Sequence, residues 1–150
     1  MTMRQDGGDR VAVLDNTGAA VAVDTVAMGL DPHRDRLCVV QLSSGDGSAD
    51  VVQIPASNIS APNLRKLMGD TKVLKIFHFA RLDLGMIFHT LGVMPQPVYC
   101  TRTASRLART YTDKHGLKDI ARELLGVDMS KQQQSSDWGA ENLTDAQLAY

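Results

Sequence analysis

Two aspartates, Asp24 and Asp83, stand where apolar, β-favouring runs give way to a turn or a helix. Carboxylates at strand ends are suited to holding a hard divalent cation. Asp24 closes the run Ala20-Val21-Ala22-Val23 and is followed by Thr25, Val26, Ala27, Met28, Gly29 and Leu30. It fits either a metal ligand or an acceptor that caps the next turn. Asp83 lies in Phe77-His78-Phe79-Ala80-Arg81-Leu82-Asp83-Leu84, where a buried strand passes into a helix. There it can bind a cation, anchor Arg81, or act as a first-turn acid favoured by the helix dipole. His78 reads more readily as a satisfied core histidine than as a ligand. Further on, Arg102, Arg106 and Arg109 recur at helical spacing on one face, which either receives phosphates or is simply solvated.

The elements that must position these residues follow from periodicity. Strands are expected over Ala20–Asp24, Leu37–Leu42 and Asp50–Ile54, joined by short turns as an antiparallel meander. A helix over Asn63–Met68, a buried strand over Val73–Phe77 and a helix over Ala80–Leu91 then give a strand–helix alternation, with Val98–Cys100 as a last short strand. From Thr101 onward the pattern is helical, broken at Asp113–Gly116 and Val127–Asp137. The expected class is α/β, a mixed sheet flanked by helices. Thr144-Asp145-Ala146-Gln147 is a capping box that opens another helix, and the sequence stops at Tyr150 before two turns are complete, which suggests a C-terminal truncation.

Bulk properties narrow the function. The 150 residues carry 16 basic and 17 acidic side chains, a net charge of −1, so no global positive field is available to hold long nucleic acid. One domain spanning 1–150 is expected. No apolar run is long enough for a membrane span, and the first residues lack a signal-peptide core, so the expectation is a cytoplasmic protein without membrane partners. Cys38 and Cys100, far apart in apolar surroundings, read as buried free thiols. A dinucleotide-binding protein is disfavoured, because no GxGxxG follows the first strand.

Taken together, Val23-Asp24-Thr25 with Met28-Gly29-Leu30, then Phe77 to Leu84, then His115-Gly116-Leu117-Lys118, then Ser136-Asp137-Trp138 resemble the ribonuclease D-like 3′-5′ exonucleases. Within that family the segments Ser105–Leu117 and Lys131–Trp138 are most similar to the compact alphaproteobacterial oligoribonucleases of the nano-RNase C group. The resemblance covers the chain from about Val21.

It implies a ribonuclease H-like (DnaQ-like exonuclease) fold, two divalent cations, Mg²⁺ or Mn²⁺, and hydrolysis of the 3′-terminal phosphodiester of short single-stranded RNA or dinucleotides. Carried over residue by residue, Asp24 and Asp83 are metal-binding acids and Tyr150 the catalytic tyrosine. Thr25, Met28, Leu30, His78 and Phe79 match the pocket of the terminal nucleotide. The family has glutamate two residues after the first aspartate, where this chain has Val26, and a final acid four residues beyond the tyrosine, past the end of this sequence. Impaired activity is therefore expected, with a non-catalytic nucleotide-binding or assembly module as the alternative. A homo-oligomer is a further implication of the resemblance.

Overall fold

The computed structural model describes residues 2–6 (backbone only), 20–57, 59–129 and 136–148. Strands β1 (Thr2–Asp6), β2 (Ala20–Ala27), β3 (Leu37–Ser43), β4 (Ser48–Gln53), β5 (Leu74–Phe77) and β6 (Val98–Cys100) form one six-stranded sheet in the order β1-β4-β3-β2-β5-β6. The three meander strands pair antiparallel, β2 with β3 and β3 with β4, as their short turns and branched residues dictate. Beyond them β5 runs parallel to β2, and β6 parallel to β5. Each of these returns follows a helix, α1 (Pro62–Gly69) or α2 (Arg81–Leu91), as parallel pairing requires. The sheet is thus mixed, as the sequence leads one to expect. Strand β1, which the sequence does not announce, adds a parallel edge to β4.

Strand β2 alternates, burying Val21 and Val23 and leaving Ala22 and Asp24 on the other face. The buried face meets α1 and α2 in a core that includes Leu42, Leu64, Met68, Phe77, Met86 and Ile87. The opposite face carries a smaller cluster of Cys38, Val39, Val51, Trp138 and Leu143. Helices α3 (Thr101–Ala108), α4 (Leu117–Leu125) and α5 (Asp145–Leu148) complete the order. Thr144 caps α5 as its sequence pattern requires: the Gln147 amide donates to Thr144 Oγ1 at 3.2 Å, while Gln147 Oε1 accepts from the Thr144 amide at 2.9 Å.

Among the described residues one charged side chain is wholly internal. Lys75 on β5 is 0% exposed, and its ammonium donates to the carbonyls of Asp70 and Gln96, tying together the loops that enter β5 and β6. Lys75→Met keeps the apolar stem and strands both carbonyls, so it is expected to cost roughly 1–3 kcal/mol of stability. The urea midpoint should fall with the slope unchanged; an unmoved midpoint refutes the staple.

Candidate active site

The two aspartates meet because α2 docks its first turn against β2. Asp83 is buried, 6% exposed, and its Oδ1 accepts the Thr25 hydroxyl at 2.6 Å and the Thr25 amide at 3.2 Å. Burial raises the Asp83 pKa, the Thr25 hydroxyl opposes that rise, and the Asp24 charge adds to it, leaving the carboxyl at about 6. Asp24 keeps an open surface. The protein packed around its carboxyl nevertheless desolvates it and raises its pKa, against the Thr25 amide, which lowers it. A pair of desolvated, mutually repelling carboxylates is relieved by a bound cation as well as by a proton.

Residues that follow the other parallel strands, β5 and β6, complete the site. Thr101, at the start of α3, donates its hydroxyl to the Phe77 carbonyl at 3.2 Å and sits 2.9 Å from His78 Nδ1. With the hydroxyl proton so used, the ring donates from Nδ1, which leaves Nε2 as an acceptor. Burial, then the nearby Arg102 charge, lowers the His78 pKa, so this imidazole is neutral at pH 7. Asp24, His78, Thr101, Gln41, Ser43 and Met129 face a cleft of about 560 Å³, within the range of small-ligand sites.

Phe79 follows in a left-handed conformation, φ 63°, that a bulky residue adopts only when its surroundings impose it. Its half-exposed ring lies beneath the Arg102 guanidinium, 4.3 Å from the ring centroid. Met28 and Leu30 stand on the loop that leaves β2 and are exposed. The structure therefore gathers Asp24, Thr25, Asp83 and His78, sets Phe79 beside them, and leaves Met28 and Leu30 on a neighbouring loop. Tyr150 lies outside the described residues.

Two sequence readings need amendment. Arg109 does not share a solvent face with Arg102 and Arg106. It ends α3 as a buried side chain, pairs with Glu123, and donates to the Lys114 carbonyl at 2.7 Å and to Ser105 Oγ at 2.9 Å. Cys38 is a buried free thiol, but Cys100 is half-buried at the cap of α3. Burial raises the Cys100 pKa, but the Thr103 hydroxyl and the amides of Ala80, Thr103 and Phe79 outweigh it and bring it to about 7. Finally, Thr25 and Thr101 matter as partners of Asp83 and His78, relations across the fold that no local pattern signals.

Val26, two residues after Asp24 on β2, packs against the cluster of Cys38, Val39, Val51, Trp138 and Leu143, with Leu148 beside it. Among the described residues no group of three or more His, Cys, Asp or Glu side chains converges as a metal cage. Asp24 and Asp83 alone fit one hard cation held by two carboxylates, with water filling its other positions.

A mixed sheet of this topology, with Asp24 within central strand β2 and Asp83 in the first turn of α2, has the ribonuclease H-like exonuclease fold. Residues 8–150 match the family model described as 3′-5′ exonuclease, and the chain belongs to that family. It is 33% identical over 130 residues to ribonuclease D of Gluconacetobacter diazotrophicus, covering 87% of this chain and 33% of that protein. The chain thus spans about a third of the length of the curated relatives it matches. Brucella melitensis NrnC with bound Mg²⁺ is 55% identical, with a TM-score of 0.88, covering 100% of this chain and 73% of that one. Brucella melitensis NrnC bound to pGG is 57% identical, with a TM-score of 0.89, covering 100% and 72%. Escherichia coli RNase D is similar at 26% identity and a TM-score of 0.75, covering 88% and 34%. No helix among the described residues is long and apolar enough to cross a membrane.

Proposed function

We propose that residues 1–150 form a 3′-5′ exoribonuclease domain that releases 5′-mononucleotides from the 3′ end of short RNA oligonucleotides. The observation that carries this reading is the coupled Asp24–Asp83 pair, with Asp24 and His78 facing a cleft of nucleotide size. The pGG bound to the Brucella protein supports a short substrate, as does the near-neutral charge of this chain. Asp24 and Asp83 would hold a divalent cation, Mg²⁺ or Mn²⁺, and Thr25 fixes the orientation of Asp83. When bound, such a cation supplies Lewis-acid stabilisation of charge on the phosphoryl oxygens. A second cation, as the resemblance implies, needs ligands beyond this pair. Neutral His78 offers Nε2 as an acceptor to a sugar hydroxyl, Phe79 offers a ring face to a base, and Met28 and Leu30 border the terminal nucleotide. As the resemblance implies, Tyr150 would orient the water whose oxygen attacks phosphorus as the bond to O3′ breaks, the water losing a proton to solvent and O3′ taking one up as it leaves.

Val26 favours a second reading, in which the fold binds short nucleic acid and turns it over slowly or not at all. An isopropyl group seated in an apolar cluster supplies no oxygen where the family pattern has a carboxylate. Under either reading, exposed Leu107, Leu124 and Leu125 on α3 and α4 support association of copies, and the place of action is the cytoplasm. Incubating the protein with an RNA dinucleotide in Mn²⁺ or in EDTA separates the two. Mononucleotide release that EDTA abolishes supports the exonuclease, whereas binding without release supports the second reading.

A further inference from the structure

Away from the cleft, the loop leaving β2 is a preformed unit. The Asp31 carbonyl accepts the amides of Arg34 and Asp35, Asp35 Oδ2 accepts the Asp31 amide at 3.0 Å, and the Met28 amide closes the loop on the Arg36 carbonyl at 3.0 Å. Gly29 packs so closely on Asp35 that an added Cβ would stand 2.1 Å from its Oδ2. This framework holds His33, whose own amide donates to Asp31 Oδ1 at 3.0 Å. Facing it, in the last turn of α2, is His89. The two rings meet edge to face with centroids 4.8 Å apart and planes at 73°.

Both side chains are exposed, and neither ring has a hydrogen-bond partner among the described residues. The other two histidines differ, since His78 Nδ1 is engaged by Thr101 and His115 Nδ1 by Ser105, each at 2.9 Å. An edge-to-face contact between rings is worth only about 0.5–1.5 kcal/mol and leaves the nitrogens unsatisfied. Two exposed imidazoles on separate ordered elements at this separation need only side-chain rotation to turn one nitrogen each toward a shared ion. We propose that His33 and His89 bind a first-row transition cation of the Zn²⁺ or Ni²⁺ type, with water completing its shell. Beside them a hollow of about 230 Å³, lined in part by Pro32, Asp35 and Thr90, leaves room for that water.

Ligand chemistry separates this site from the acidic pair. Imidazole suits Zn²⁺ and Ni²⁺, whereas Mg²⁺ takes oxygen ligands and stays with Asp24 and Asp83. Occupancy joins the loop bearing Met28 and Leu30 to the far end of the helix whose first turn carries Asp83. The proposal does not depend on the hydrolytic reading.

The test is a calorimetric titration of tag-free protein with Ni²⁺ in excess Mg²⁺, alongside histidine-ring NMR spectra. One equivalent of Ni²⁺ is expected to bind and to broaden the rings of His33 and His89 while sparing His78 and His115. His33→Gln and His89→Gln should each weaken binding roughly tenfold or more. The proposal is overturned by absence of Ni²⁺ binding, by binding that either substitution leaves intact, or by broadening of His78 or His115 instead. The broadening is read on the unaltered protein, so the result stands even if a variant folds poorly.

Discussion

Replacing Val26 with glutamate is expected to raise Mn²⁺-dependent mononucleotide release from an RNA dinucleotide by roughly 10–100-fold or more, since even an indirect metal partner is worth that much. Residues 24 and 26 project to the same side of β2, so a carboxylate at 26 joins Asp24 as an oxygen donor. The same substitution has an opposite effect without metal. Val26 packs on a cluster built from Trp138, Leu143 and Val51, and an ionised carboxylate there lies among apolar groups and beside two other acids. Val26→Glu should therefore lose about 1–3 kcal/mol of stability in EDTA, because the isopropyl packing is gone and the new charge is poorly solvated. Mn²⁺ should restore it. Thermal melts with and without Mn²⁺, paired with the dinucleotide assay, test both halves. A variant as stable as the parent in EDTA, with no gain in release, contradicts the placement of residue 26 at the metal.

Asp83→Asn is expected to do the reverse. It removes a charged ligand and should abolish Mn²⁺-dependent release, including any gained through Val26→Glu. Without metal it should stabilise the fold above pH 6. The Asp83 carboxyl titrates at about 6 in the folded protein, above the 3.8 of an unperturbed aspartate. Between those values the folded state holds a proton that the unfolded chain has released. Stability from this group is thus fully present below about pH 4 and declines as pH rises through 6, by an amount on the order of 2–3 kcal/mol. Asparagine keeps an oxygen for the Thr25 hydroxyl and amide and does not titrate, so the Asp83 share of the decline should vanish from a pH series of urea melts in EDTA, leaving what Asp24, whose pKa burial also raises, contributes. An unchanged pH dependence in the variant means another group sets it.

Some of this was written locally. The capping box from Thr144 to Gln147 forms because its hydrogen bonds join residues three apart, and β2 to β4 form a meander because turn residues separate branched apolar runs. The polar strand Thr2–Asp6 has no such pattern, and its partner, β4, lies far along the chain. Arg109 misleads for a related reason. Helical spacing places it with Arg102 and Arg106, but the backbone leaves the helix there, φ −105° and ψ 62°, and the side chain turns inward to Glu123.

By itself the sequence determined the types of the elements from β2 onward and, through its resemblance, the family, because residue type and spacing encode these directly; Asp24 and Asp83 it offered as candidate acids. Only the tertiary structure decided that Thr25 clamps Asp83, that Thr101 sets the proton on His78, that Arg102 covers Phe79 and that Val26 belongs to an apolar cluster. Each of those relations joins side chains from different elements. It depends on how helices dock on the sheet, and the pKa shifts of the two acids arise only once that docking has excluded water from them.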